Sequence, residues 1–271
     1  MSKHAGDSAD GSTRLLAGDE TPPFVVWNPG ATSPLVLLGD HAGREIPRAL
    51  RDLGLPEAEL TRHIGWDIGV AGLGARLAEA LGATFIAQRY SRLVIDCNRE
   101  PSRDDAICAV SDGTPAPGNQ GLSAAARQAR IDEVFQPYHD RIAAELYARA
   151  AAGLTTVPVA LHSFTPAMGG VARPWRFGVL HEGSSAYSTA VLARLRAALG
   201  ANLVGDNEPY RMDATDYTIG RHALLRGLDY LELEVRQDLL GDAAGQSEVA
   251  AFLAPILQGA VKLRPKPILG R

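Results

Sequence analysis

Pro34-Leu35-Val36-Leu37-Leu38-Gly39-Asp40-His41-Ala42-Gly43 is the stretch that decides the fold class. Its four apolar residues, bounded by Pro34 and Gly39, have the length of a strand and no polar face, the pattern of a strand buried on both sides inside a parallel sheet. Asp40 and His41 follow where that strand ends, and open α/β sheets bind ligands at the carboxyl ends of their strands. Two readings of the pair stand side by side. An imidazole and a carboxylate there suit metal or acid–base chemistry; equally, His41 is a loop histidine and Asp40 a cap for a helical piece starting near Ile46-Pro47.

Outward from this point, the same logic recurs at residues 157–164, an apolar strand that ends in His162 and then a loop. Before the organising strand, Phe24-Val25-Val26-Trp27 is an edge strand or an arm, closed by the turn signal Asn28-Pro29-Gly30. After it, residues 47–53 and 56–60 carry short helical signals. Residues 68–81 predict a clear helix with Val70, Leu73, Leu77 and Leu81 on one stripe, and Asp67 falls at its start, where a cap is the plain interpretation. Residues 83–88 and 93–97 are rich in β-branched side chains and predict two strands. The Gly, Pro, Ser and Asp-rich segment 100–122 is long enough to predict a functional lid or wall. A long helix over 123–152, broken at Pro137, comes next. Strands at 177–180, 202–205 and 230–236 alternate with helices at 184–199 and 247–263. Alternation of this kind predicts an α/β fold of three layers, α/β/α, with a mostly parallel mixed sheet covered on both faces.

Bulk properties narrow the function. With 271 residues the chain suits one catalytic domain over 21–271 behind a flexible N-terminal tail, 1–20. A net charge of -4 and a pI near 6.0 argue against a nucleic-acid partner. Cys97 and Cys108 are too few for a disulfide framework, the first 20 residues lack a signal peptide's apolar core, and no run approaches the ~18 to 20 apolar residues of a membrane span. A small-molecule substrate and a cytoplasmic setting are expected.

Two strand-end histidines, His41 and His162, with the carboxylates Asp67 and Glu234 are the residue types that a catalytic zinc requires: three ligands and a separate general base. No local H-E-x-x-H pattern is present, and Ser91 and Ser163 lack the G-x-S-x-G elbow of a nucleophile. Strand alternation sends Glu232, Glu234 and Arg236 to one face, which leaves Glu234 as a base or as a structural acid beside Arg236. Arg92 has two roles open, an ion pair with Asp96 or a place in the site. His139 and His222 lie in helical context and read as packing histidines, His4, His63 and His181 carry no further signal, and Trp66 and Trp175 read as core or pocket wall.

Asp40-His41-Ala42-Gly43, Trp66-Asp67, the run from Tyr90 to Arg99, His162-Ser163-Phe164, the run from Gly205 to Tyr210 and the run from Glu232 to Leu239 occur in this order across residues 30–260. Together they resemble the N-formylglutamate amidohydrolase family, whose fold is similar to that of zinc carboxypeptidases and aspartoacylase, a zinc-exopeptidase-like architecture. The resemblance implies one Zn2+ per chain held by His41, Asp67 and His162, with Glu45 as the rival third ligand. Relatives in histidine breakdown have a histidine in place of Asp67. It further implies Glu234 and Arg92 as catalytic residues, Asn98, Arg99, Arg173 and Tyr210 as substrate-binding residues, and hydrolysis of an acidic N-acyl amino acid such as N-formyl-L-glutamate. A zinc peptidase or deacylase and a carboxylate-binding protein without turnover are the alternatives it leaves.

Overall fold

A computed structural model describes residues 14–261. The strands are β1 (Phe24–Trp27), β2 (Leu35–Gly39), β3 (Thr84–Gln88), the hairpin β4 (Val110–Ser111) and β5 (Thr114–Pro115), β6 (Val157–Phe164), a second hairpin β7 (Ala167–Met168) and β8 (Val171–Ala172), β9 (Phe177–Leu180), β10 (Val204–Asp206) and β11 (Leu231–Arg236). The helices are α1 (Glu57–Leu60), α2 (Val70–Leu81), α3 (Ala124–Arg130), α4 (Gln136–Ala151), α5 (Ala186–Leu199), α6 (Tyr217–His222) and α7 (Ala243–Val261). Seven strands form one mixed sheet in the order β1-β3-β2-β6-β11-β9-β10. Its centre is parallel, β3-β2-β6-β11, while β1 and β9 run antiparallel to their inner neighbours.

The apolar run in β2 is explained by burial on both faces. Leu35 and Leu37 pack with Leu73 and Leu77 of α2, Val191 and Leu195 of α5 and Leu253 and Leu257 of α7, whereas Val36 and Leu38 pack with Val134, Phe135, Tyr138 and Ile142 on the opposite side. A polar residue at any of these positions would lack water on either face, so the segment has no alternation to display. Each such leucine removed from water is worth about 1.5–3 kcal/mol. Among the described residues no helix is long and apolar enough to cross a membrane.

Several sequence expectations need correction. Residues 93–97 are not a strand: β3 already has β1 and β2 on its two edges, so these β-branched side chains instead pack under α4, with Val94 and Ile95 buried beside Phe135 and Ile142. The predicted strand at 202–205 begins as a 3-10 turn, Ala201–Leu203, and becomes strand only at Val204. The long helix is not cut at Pro137 but loosened just before it, by a π-helical turn over Ile131–Phe135; proline has no N–H with which to continue the α-helical ladder. Within the expected tail, Leu15 and Leu16 are buried against the α4 side, and their backbone N–H groups both donate to the Glu133 carboxylate at 2.7 and 2.9 Å. Residues 14–20 are therefore docked, while 1–13 and the expected end of the last helix at 263 lie outside the described residues.

Candidate active site

The carboxyl ends of β2, β6 and β11 meet above the middle of the sheet, and they deliver the site. His41 follows β2, His162 lies near the end of β6, and Glu234 sits in β11 directly across from His162 in the parallel register. Asp67 arrives from the loop before α2. It is not that helix's cap: Gly69 occupies the cap position in a left-handed conformation without a side-chain cap bond. The Asp67 backbone N–H donates to the His41 carbonyl at 2.8 Å, which fixes the residue beside the histidines and turns its carboxylate inward.

Asp67 Oδ2 lies 3.0 Å from His162 Nδ1 and 3.4 Å from His41 Nδ1, and the three residues offer ligand atoms all within 4.8 Å of one another. All three are buried. Both rings turn Nδ1 toward this point and Nε2 away from it, toward other carboxylates. Nε2 of His41 is 2.6 Å from Asp96 Oδ1; Nε2 of His162 lies 3.7 Å from Asp40 Oδ2 and 3.8 Å from Glu232 Oε1. Asp40 is itself fixed by the hydroxyls of Tyr138 and Thr218, which donate to Oδ1 at 2.8 and 2.9 Å. Carboxylates behind imidazoles orient metal ligands in this way. His41 Nδ1 is buried without a hydrogen-bond partner, and two nitrogens with one carboxylate oxygen suit zinc. These residues fit a metal ion.

The electrostatics agree. Burial alone would lower the pKa of His162, but its bond to Asp67 and the surrounding carboxylates push it up to about 10. Burial would raise Asp67, yet His41 and His162 hold it well below the usual carboxylate range. The carboxylates thus hold positive charge at the very point where a cation would take its place. Glu234 is pushed up to about 7 by burial, with the Asp67 charge adding to the rise and His162 opposing it. Burial, with the Asp216 charge adding to it, drives Glu232 well above the usual range.

These groups line a cavity of about 500 Å³. Asn98, Arg99, Arg92, Tyr210 and Glu234 reach its wall, whereas Arg173 is not among the lining residues and meets the site only through Tyr210, donating to its hydroxyl at 3.0 Å with its guanidinium 4.8 Å from that ring. Arg92 combines the two roles left open, donating to Asp96 at 2.6 Å and to Asp67 at 3.4 Å while facing the cavity. Asn98 Oδ1 accepts the Thr218 N–H at the start of α6. Glu45 is not in this group: its half-exposed carboxylate accepts from Thr21 and Arg89. Ser91 and Ser163 donate to the backbone carbonyls of Gly65 and Ile68 and face no base. His139 and His222 are stacked in the core, as packing histidines.

Some cavity residues had no signal of their own in the sequence. Cys108, Ser111 and Asp112 from segment 100–122 form one wall, with His63 packed 3.3 Å from Asp112. Arg211 and Asp216 come from the loop after β10. Asp96 reads in sequence only as a partner of Arg92; the histidine it orients lies 55 residues away in the chain.

Comparison with known proteins follows the same lines. The family described as N-formylglutamate amidohydrolase matches residues 33–241. Two curated relatives, the N-formylglutamate deformylases of Pseudomonas putida and Pseudomonas aeruginosa, are 31% and 36% identical over 125 and 129 residues, which is 42% of this chain and 45% of each relative. The aligned part therefore spans under half the length of those enzymes. A gene product from Agrobacterium tumefaciens of solved structure is 35% identical, with a TM-score of 0.87 over 92% of this chain and 98% of its own. The N-formylglutamate amidohydrolase from Ralstonia eutropha, 21% identical with a TM-score of 0.67 over 90% of this chain and 99% of its own, shares the fold. Since the family match covers most of the chain, including β2, β6, β11 and every residue of the site just described, this protein belongs to the N-formylglutamate amidohydrolase family.

Proposed function

We propose that this chain is a metal-dependent amidohydrolase that cleaves N-formyl-L-glutamate to formate and glutamate, a step of amino-acid breakdown. The observation that carries the reading is the convergence of His41 Nδ1, His162 Nδ1 and Asp67 Oδ2, with Glu234 across the strand from His162. A single zinc held by His41, Asp67 and His162 would supply Lewis acidity, making bound water a nucleophile near neutral pH and polarising the formyl carbonyl.

The protein's own groups then have separate tasks. Glu234, with a pKa near 7, takes the proton from the attacking water and returns it to the leaving amine, because an acid poised near ambient pH exchanges protons in both directions. Glu232, 3.8 Å from His162 Nε2 on the far side of the ring from Asp67, is a supporting group and not the base. Arg92, locked by Asp96 and Asp67, presents a guanidinium that favours negative charge as the carbonyl is attacked. Asn98, Arg99 and Tyr210 hold the substrate, with Arg173 bracing Tyr210 and an arginine fork matched to a carboxylate. The buried Cys97 and part-buried Cys108 are both free, which suits the cytoplasm.

The test is formate release from N-formyl-L-glutamate by purified protein, before and after chelation and after zinc is restored. Chelator-sensitive, zinc-restored turnover supports the reading. Turnover of other N-acyl amino acids or peptides with none of N-formylglutamate would move the chain to the deacylase alternative, and metal binding with no turnover to the carboxylate-binding one.

A further inference from the structure

Three arginines line the cavity, Arg92, Arg99 and Arg211. Two are already engaged by protein carboxylates: Arg92 faces Asp96 and Asp67, and Arg99 stands 3.6 Å from Asp216 and 3.9 Å from Asp105. Among the described residues Arg211 has no ion-pair or hydrogen-bond partner, and it is an exposed residue of the cavity lining. The rest of the lining is rich in carboxylates, which repel a doubly anionic substrate, and Arg211 is the lining arginine that no protein carboxylate already neutralises among the described residues.

The loop holding Arg211 is built, not loose. Gly178 in β9 and Gly205 in β10 leave room for it to fold back over the sheet; a Cβ at either position would fall 2.1 or 2.4 Å from the Glu208 carbonyl oxygen. Asn207 ties the loop's start to His181, donating to its carbonyl at 3.0 Å and accepting its N–H at 2.9 Å. Tyr210 is clamped by Arg173, and Met212 is buried in a small core with Leu180 and Ile219. The two neighbours of Arg211 are thus fixed.

We propose that Arg211 binds the side-chain carboxylate of the substrate and sets the enzyme's preference for an acidic amino acid. The inference rests on the N-formyl amino-acid hydrolase reading and deepens it. In that substrate the carboxylate next to the amide would lie beside the reacting carbonyl, within reach of Arg92 or Arg99, whereas the side-chain carboxylate would extend toward the exposed part of the lining that carries Arg211. A site built around an uncommitted charge rejects a neutral analogue because the cation is then left unpaired.

The experiment compares kcat/KM for N-formyl-L-glutamate and N-formyl-L-glutamine with wild type, Arg211→Gln and Arg211→Lys, all zinc-supplied. The ratio of the two values in favour of the acid should fall about 10- to 100-fold in Arg211→Gln, as for loss of a charge-assisted contact, and mainly through KM for the acid. Arg211→Lys should keep part of the preference. An unchanged ratio in Arg211→Gln, or an equal loss on both substrates, overturns the proposal. Calorimetric titration with L-glutamate and L-glutamine reads the same preference without turnover. If wild type hydrolyses neither substrate the hydrolase reading fails, and the titration still decides Arg211: a preference for glutamate that Arg211→Gln abolishes supports its role, and no preference in wild type refutes it.

Discussion

Replacing Glu234 with glutamine should move stability and turnover in opposite directions. Its carboxyl is 5% exposed, with Oε2 buried and unpartnered, and its pKa rises from the ordinary glutamate value of 4.5 to about 7, chiefly through burial. A carboxyl with a higher pKa folded than unfolded gives its full stabilising contribution below 4.5, and that contribution is lost as pH rises through about 7. Above pH 7 the buried charge costs the metal-free protein on the order of 3 kcal/mol, from a shift of about 1.4 kcal/mol per pKa unit. Glutamine has nearly the same shape and no charge, so metal-free Glu234→Gln should unfold at higher denaturant than wild type at pH 8, and the gap should close toward pH 4. Zinc content should be retained while formate release falls on the order of 10²-fold or more, as when a general base is removed. Glu232 stands behind His162, 3.8 Å from its Nε2 and on the far side of the ring from Asp67, so Glu232→Gln should cost far less activity. The assays are denaturant melts across pH and steady-state formate release. If Glu232→Gln abolishes turnover with metal in place while Glu234→Gln stays active, the assignment of the base is refuted.

Other consequences follow from the same geometry. Asp67→Ala should lose most of its zinc by mass spectrometry while Glu45→Ala keeps it; the reverse ranking would return the third ligand to Glu45. Arg99→Lys keeps the charge but loses the fork, and kcat/KM should fall by about 1.5–3 kcal/mol in transition-state binding with zinc retained, an unchanged value removing Arg99 from the site. His222, pushed down to about 3 by burial and by Arg226 and Arg221, and His139, held well below its ordinary value, are neutral in the fold. The His222 contribution is present above the unfolded value of 6.5 and is lost as pH falls toward 3, at about 1.4 kcal/mol per pH unit. Denaturant melts at pH 7 and pH 5 should therefore show a shallower loss for His222→Gln than for wild type, and equal slopes would contradict this.

What the sequence disclosed depended on whether a residue's role was set by its neighbours in the chain or by the fold. The β2 run was legible because a strand buried on both faces admits no polar residue, and the ends of β2 and β6 followed from it. Glu234 was legible through alternation, which placed it with Glu232 but did not separate their surroundings; Glu232 lies behind His162 Nε2 and Glu234 across the strand from His162, both placements being products of folding. Asp67 has the appearance of a helix cap in sequence, and only the bond between its N–H and the His41 carbonyl turns it into the site. Residues 93–97 have the composition of a strand but find no vacant sheet edge. The uncommitted state of Arg211 had no sequence signal, since it is a property of what the other arginines already hold.

On the proposed reading, hydrolysis depends on one zinc site formed by His41, Asp67 and His162. Zinc titration into chelator-stripped protein, read in parallel by bound metal and by formate release from N-formyl-L-glutamate, tests it most directly. Activity should return in proportion to bound zinc and saturate at one ion per chain, and the His41→Ala and His162→Ala variants should recover neither metal nor activity. Full activity in the stripped protein, or unimpaired zinc binding in both histidine variants, would contradict the account.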